Sequence, residues 1–233
     1  MYPMKELKMI VVFVMLFCNM LLFGQKPVDV NQTDANEKKT GYWEGRFPSG
    51  IVRYAGQFYN DKPIGEFKYY FESGKLRAIN DFTSNGLKAY NKTFTESGIL
   101  IAEGIYLDQK KDSLWKFYND VDGSLLSEEI FKNNNLNGIS KNYYPKSNQV
   151  AETIEYLNGQ KYGVWRVFFE DGTLQSEGNY QEGQFFGKYT EYYPNGLIKS
   201  QGNYENGYKN GVWQTFDDEG NLLSEDVHKS ENP

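Results

Sequence analysis

Residues 163–186 run GVWRVFFEDGTLQSEGNYQEGQFF, and residues 187–210 run GKYTEYYPNGLIKSQGNYENGYKN. Aligned, they place Gly163 over Gly187, Trp165 over Tyr189, Gly172 over Gly196, Gly178 over Gly202 and Tyr180 over Tyr204. Asp171-Gly172 and Asn195-Gly196 are strong hairpin signals, because tight turns need residues that accept positive φ. The aromatic residues on either side suit a pleated surface. Each stretch therefore predicts strand, turn, strand, turn.

The same register extends over most of the chain. Units start at Gly41, Gly65, Ala89, Ser113, Gly138, Gly163, Gly187 and Gly211, with spacings of 24, 24, 24, 25, 25, 24 and 24 residues. Two residues after the start stands a ring: Trp43, Phe67, Trp115, Trp165, Tyr189 or Trp213. Asn91 and Ser140 take that place in the units at Ala89 and Gly138, which are degenerate. A turn glycine follows, at Gly50, Gly74, Gly98, Gly123, Gly172, Gly196 and Gly220. The second strand often carries Gly56, Gly104, Gly178 or Gly202, then an aromatic residue such as Phe58, Phe82, Tyr106 or Tyr204. In the last unit Glu225, Asp226 and His228 replace that pattern, and charge on a terminal strand discourages further pairing.

One hairpin cannot bury its aromatic face, whereas stacked hairpins cover one another. The expected fold is all-β: an elongated single ribbon of eight tandem antiparallel hairpins over 41–229. Sixteen strands at the usual spacing would extend roughly 75 Å. A ring repeated in every unit is then foremost the stacking core, and a binding surface would use less regular positions.

The flanks differ in composition. Lys5 and Lys8 precede an apolar run from Met9 to Phe23, the n-region and h-region of a secretory signal over 1–24, with cleavage expected after Gly24. Residues 25–40 are polar, lack aromatics, and are expected to be a flexible linker; 230–233 form a short tail. Export to the periplasm, cell envelope or extracellular space follows.

Composition narrows the chemistry. The net charge of −6 disfavours nucleic acid, which needs clustered Lys and Arg, and anionic lipid, although membrane contact stays open. Cys18 is the only cysteine and lies inside the export segment, so disulfides and Cys metal ligands are not expected in the mature chain. The single histidine, His228, has no partner motif for catalysis. The acidic pairs Glu128-Glu129, Glu170-Asp171 and Asp217-Asp218 fall at turns or strand ends, where carboxylates serve solubility and turn formation. Neither a phosphate-cradling loop nor a metal-ligand spacing is present. No catalytic residue, cofactor or metal is expected, and the chain is not expected to be an enzyme.

The arrangement G-x-W-x-x-(F/Y)-(F/Y)-x-x-G-x-L-x-x-x-G-x-(F/Y)-x-x-G resembles MORN repeats, specifically the variant type of the YwqK-like antitoxin family. The resemblance covers about Gly41 to His228. It implies a scaffolding and interaction module, and the family label implies toxin neutralisation. A cytoplasmic antitoxin needs no export segment, however. The leading expectation is thus an exported, non-enzymatic scaffold for protein–protein interaction in the bacterial cell envelope. Toxin neutralisation and envelope glycan binding are the alternatives.

Overall fold

The computed structural model describes residues 29–229; the expected signal segment and tail lie outside the described residues. β1 (Gln32–Thr33) and β2 (Lys39–Arg46) precede β3 (Val52–Tyr59), β4 (Lys62–Tyr70) and β5 (Leu76–Thr83). A 3-10 turn at Ser84–Gly86 leads to β6 (Lys88–Phe94), β7 (Leu100–Leu107), β8 (Lys110–Tyr118) and β9 (Leu125–Lys132). Then come β10 (Asn135–Leu136), β11 (Gly138–Tyr143), β12 (Val150–Leu157), β13 (Gln160–Phe168) and β14 (Leu174–Gln181). β15 (Gln184–Phe185), β16 (Gly187–Tyr192), β17 (Ile198–Glu205), β18 (Tyr208–Phe216) and β19 (Leu222–His228) complete the array. Strands pair antiparallel with their sequence neighbours, except that β10 and β11 both pair with β9, and β15 and β16 both pair with β14. The result is one open antiparallel sheet of tandem hairpins, as the repeat predicts.

Two turn types alternate. Asn158-Gly159, Glu182-Gly183 and Asn206-Gly207 each have both φ values positive between directly paired flanks, the two-residue turn whose twist matches the strands. The other turns are longer: Gly172 donates its N–H to the Phe169 carbonyl at 2.9 Å and Phe169 donates to Thr173 at 2.8 Å. The two 25-residue spacings arise here. Asn119 bonds Ser124, and Tyr144 bonds Gln149, one residue further along than the equivalent turns.

The first residue of a unit turns out to lie in mid-strand, not in a turn. Ala55 pairs with Lys68 and Gln57 with Ile64, so three residues of β4 oppose the single Gly56. Equivalent bulges occur in β8 and β18, and positive φ is carried by Gly65 (62°), Ser113 (59°) and Gly211 (72°). Glycine adopts this conformation without steric cost, whereas a Cβ is strained there. Ala89 does not adopt it: β5 and β6 pair without interruption from Ala78–Thr93 to Thr83–Lys88. Its connection instead has four residues, 84–87, where the other short turns have two. The two extra residues have moved from bulge to loop, so the 24-residue period survives.

The expected linker needs correction. From Gln32 its polar residues form β1 and the start of β2. Asn31 continues the ladder with its side chain, donating Nδ2 to the Glu44 carbonyl at 3.0 Å and accepting the Glu44 N–H at 2.8 Å. A polar segment without aromatics can cap a sheet edge because the cap works through amide groups. β1, together with two expected strands that bulges divide into β10–β11 and β15–β16, accounts for the difference between sixteen strands and nineteen.

Candidate functional site

Alternation along each strand sends residues to two faces. One face holds the rings. Trp43, Phe58, Phe67 and Phe82 form a continuous edge-to-face row, with centroids 6.1, 5.1 and 5.3 Å apart. Tyr106 packs on Trp115 at 4.8 Å. Trp165, Phe185, Tyr189, Tyr204 and Trp213 form a third cluster, which His228 closes at 6.3 Å from Trp213. The row breaks at the two degenerate units.

Each ring needs a partner on the preceding strand. A Cβ on Gly56, Gly104 or Gly202 would stand 2.3–2.4 Å from the ring of Phe67, Trp115 or Trp213. These glycines are seats for the next unit's ring. Where the ring is absent the seat is absent too: Asn91 pairs with Asn80, and Ser140 stands across from Glu129's strand position. Trp165 follows Ile154 rather than glycine, and its indole N–H goes to the Glu152 carboxylate at 2.7 Å. Trp115 and Trp213, each over a glycine, donate instead to the carbonyls of Ile105 and Asn203. Four units place a lysine over these rings, with Lys111 at 4.7 Å from Trp115 and Lys209 at 4.1 Å from Trp213. Burial holds the Lys111 amine below its ordinary pKa, with Glu129 opposing.

Of the ring residues singled out in the sequence, Phe67, Trp115 and Trp213 are buried on this face, with Trp115 2% exposed, while Trp43, Trp165 and Tyr189 are half-buried. Gly50, Gly74, Gly98, Gly123, Gly172, Gly196 and Gly220 all take positive φ in the longer turns.

The break at Asn91 leaves a notch of about 590 Å³ on the ring face. Asn91, 7% exposed, donates to Asn80 Oδ1 at 2.6 Å and accepts from the Thr93 hydroxyl at 3.0 Å. Burial raises the Tyr69 pKa, with a hydrogen bond from Asn80 and the charge of Arg77 opposing. Phe82 and Tyr106 stand on either side, each paired with Ala89 between them.

The opposite face carries charge. Cross-strand pairing lines up Lys92, Glu103, Lys116, Glu128 and Lys141 in alternating sign. Lys116 reaches Glu128 at 3.3 Å, and Lys92 reaches Glu103 at 3.9 Å. Tyr118 and Tyr143 donate to Glu103 and Glu128 at 2.6 and 2.8 Å. Burial and then Glu128 push the Tyr143 hydroxyl up to about 12. Burial opposes ionisation of Glu128, but Tyr143 and Lys116 outweigh it and hold the carboxyl below its ordinary range.

Beside this ladder runs an apolar strip. Tyr90 pairs with Ile105, Leu114 pairs with Ile130, and Ile139 follows on β11. Leu114 is 43% exposed, and Tyr90, Ile130 and Ile139 are also exposed. Ile79, Tyr90, Ile105 and Leu114 line a shallow groove of about 480 Å³ edged by Glu66, Asp81, Lys92, Glu103 and Lys116. An apolar centre with a charged rim has the anatomy of a protein interface. Sequence inspection missed both this strip and the notch, because each depends on cross-strand register.

Two of the three acidic pairs behave as turn formers, whereas Glu128-Glu129, expected at a turn or strand end, lies within β9 with Glu128 in the charge ladder. Asp171 accepts from the Thr173 hydroxyl and N–H, and Asp217 from Asn221; those bonds lower both pKa values. Among the described residues no group of three His, Cys, Asp or Glu side chains could hold a metal, and no helix is long and apolar enough to cross a membrane.

A family model described as MORN repeat variant matches residues 63–83, 161–182, 187–206 and 209–229. Four of the eight units are thus similar to MORN-variant repeats. Each match covers one hairpin, β4–β5, β13–β14, β16–β17 or β18–β19, and the units at Gly41, Ala89, Ser113 and Gly138 are not matched. No curated protein sequence matches the chain. Among solved structures, a crystal structure of TarM aligns at 17% identity and a TM-score of 0.32. A second, of an S. aureus TarM mutant, aligns at 16% identity and 0.32. Each alignment covers 42% of this chain, which spans only 19% of those structures' length.

Proposed function

We propose that this MORN-repeat chain is an exported, non-enzymatic scaffold that holds another protein in the bacterial cell envelope. The observation that carries the interaction is the strip Tyr90–Ile105–Leu114–Ile130–Ile139, exposed at all but the half-buried Ile105, beside the alternating charge ladder. Monomeric proteins rarely leave contiguous apolar patches uncovered without a binding role. The ladder is self-neutralised, so its contribution is orientation: a partner slipped by one strand would meet like charges. Export rests on Lys5, Lys8 and the apolar run to Phe23. The non-enzymatic assignment rests on turn-bound carboxylates and a lone histidine used as a terminal ring. Toxin neutralisation would be one form of such binding and rests on sequence resemblance alone.

Site-specific photo-crosslinking in intact cells tests the assignment. A crosslinker at Leu114 should trap a discrete protein adduct, whereas one at Val121, a turn residue 79% exposed, should not. Equal adducts from both positions, or none from Leu114, would remove the strip from the interface.

A further inference from the structure

The notch on the ring face is shaped by an omission. In the regular array a ring sits between its neighbours: Phe67 lies 5.1 Å from Phe58 and 5.3 Å from Phe82. One unit further on, Asn91 stands in that place, and no ring separates Phe82 from Tyr106. Their strands flank β6, so the walls stand two strand spacings apart, about 9.6 Å. What remains is a slot between two aromatic side chains, with the buried Ala89 at its base.

The slot's polar groups are of one kind. Asn80 and Asn91 form the floor, Tyr69 abuts it, and Gln109 lies on the rim. Amides and phenols both donate and accept, as hydroxyl groups do. Arg77 is the only charged residue in the lining, so neither a polyanion nor a polycation is matched. The slot lies in the middle of a sheet face, where the backbone of β5, β6 and β7 is committed to the ladder. An extended peptide would find no strand edge to pair with there.

We infer that the slot between Phe82 and Tyr106 binds a neutral pyranose unit of a glycan. A pyranose is a slab with C–H groups on its two faces and hydroxyls around its edge. Between the two walls it sets those C–H faces against aromatic rings and turns hydroxyls toward Asn80 and Asn91. Ligand sites commonly combine apolar walls with a few placed polar groups. The site is independent of the strip around Leu114, which lies on the opposite face.

The test restores the repeat. The full chain is titrated calorimetrically with chitotetraose, cellotetraose, maltotetraose and mannotetraose, and with hexaserine as an extended neutral peptide. At least one oligosaccharide should bind, and hexaserine should not. The double substitution Asn80→Gly, Asn91→Phe places a ring across from a glycine, fills the slot, and should weaken that binding more than tenfold without lowering the melting temperature. Arg77→Ala, at an exposed rim position, gives a second variant expected to fold normally and to bind more weakly. Absence of oligosaccharide binding, undiminished binding by the filled variant, or slot-dependent binding of hexaserine alone would overturn the proposal. In each case crosslinking at Leu114 would be unaffected, which separates this failure from failure of the protein interface.

Discussion

Gly104 lies directly beneath the indole of Trp115, so close that a Cβ at residue 104 would meet ring carbon Cδ2 at 2.3 Å. Trp115 is held there by its N–H bond to the Ile105 carbonyl at 3.0 Å. Gly104→Ala would force the ring out of its seat, and overpacking of this kind costs about 1–3 kcal/mol. Urea denaturation should show that loss, and Trp115→Ala in the same background should reduce the additional penalty of the alanine.

Gly65 and Ala89 head equivalent units but carry different backbones. Gly65→Ala introduces a Cβ at φ 62° with no heavy atom within 4 Å, so its cost is conformational, about 1–2 kcal/mol. Ala89→Gly should cost less, about 0.5–1 kcal/mol, because β6 has no bulge to relieve. Denaturant midpoints of the two variants should fall in that order.

The repeat was legible in the sequence because rings and turn glycines recur at fixed spacing, and those positions form the core and turns of the sheet. The bulge was not legible. A glycine that heads a unit signals positive φ without telling whether a turn or a strand uses it. The charge ladder was hidden for another reason: Lys92, Glu103, Lys116, Glu128 and Lys141 are unevenly spaced and become neighbours only once the register is known. Asn91 was visible as a missing ring, but its bond to Asn80, eleven residues earlier, required the β5–β6 pairing. Residues 31–33 gave no signal, since their cap is made by backbone and an amide side chain.

Tyr143 and Glu128 make a pH-dependent pair. The raised tyrosine pKa contributes stability fully present below about pH 10, and lost as pH rises through the folded value of about 12. The lowered Glu128 pKa contributes stability present above the ordinary carboxylate range and lost as pH falls through its folded value. Thermal melts should therefore show Tyr143→Phe with a shallower alkaline decline between pH 10 and 12 than the native chain. Glu128→Gln should flatten part of the acid limb.

Asn31 covers the β2 edge at Glu44. Asn31→Ala leaves the Glu44 N–H and C=O without those side-chain partners. Hydrogen exchange at the Glu44 amide should accelerate at least tenfold, with little change in β8 or β13. Uniform acceleration along the array would contradict the nearest-neighbour character of the stack.

The proposed protein interface on the charged face is tested most directly by the affinity of the crosslinked partner for the native chain and for Leu114→Lys. Leu114 is half-exposed and seats no ring, so the variant should keep its melting temperature. Placing an ammonium group in the apolar centre of the strip should weaken binding at least tenfold, about 1.4 kcal/mol. Unchanged affinity in a normally folded Leu114→Lys variant would contradict the assignment of this strip as the binding surface.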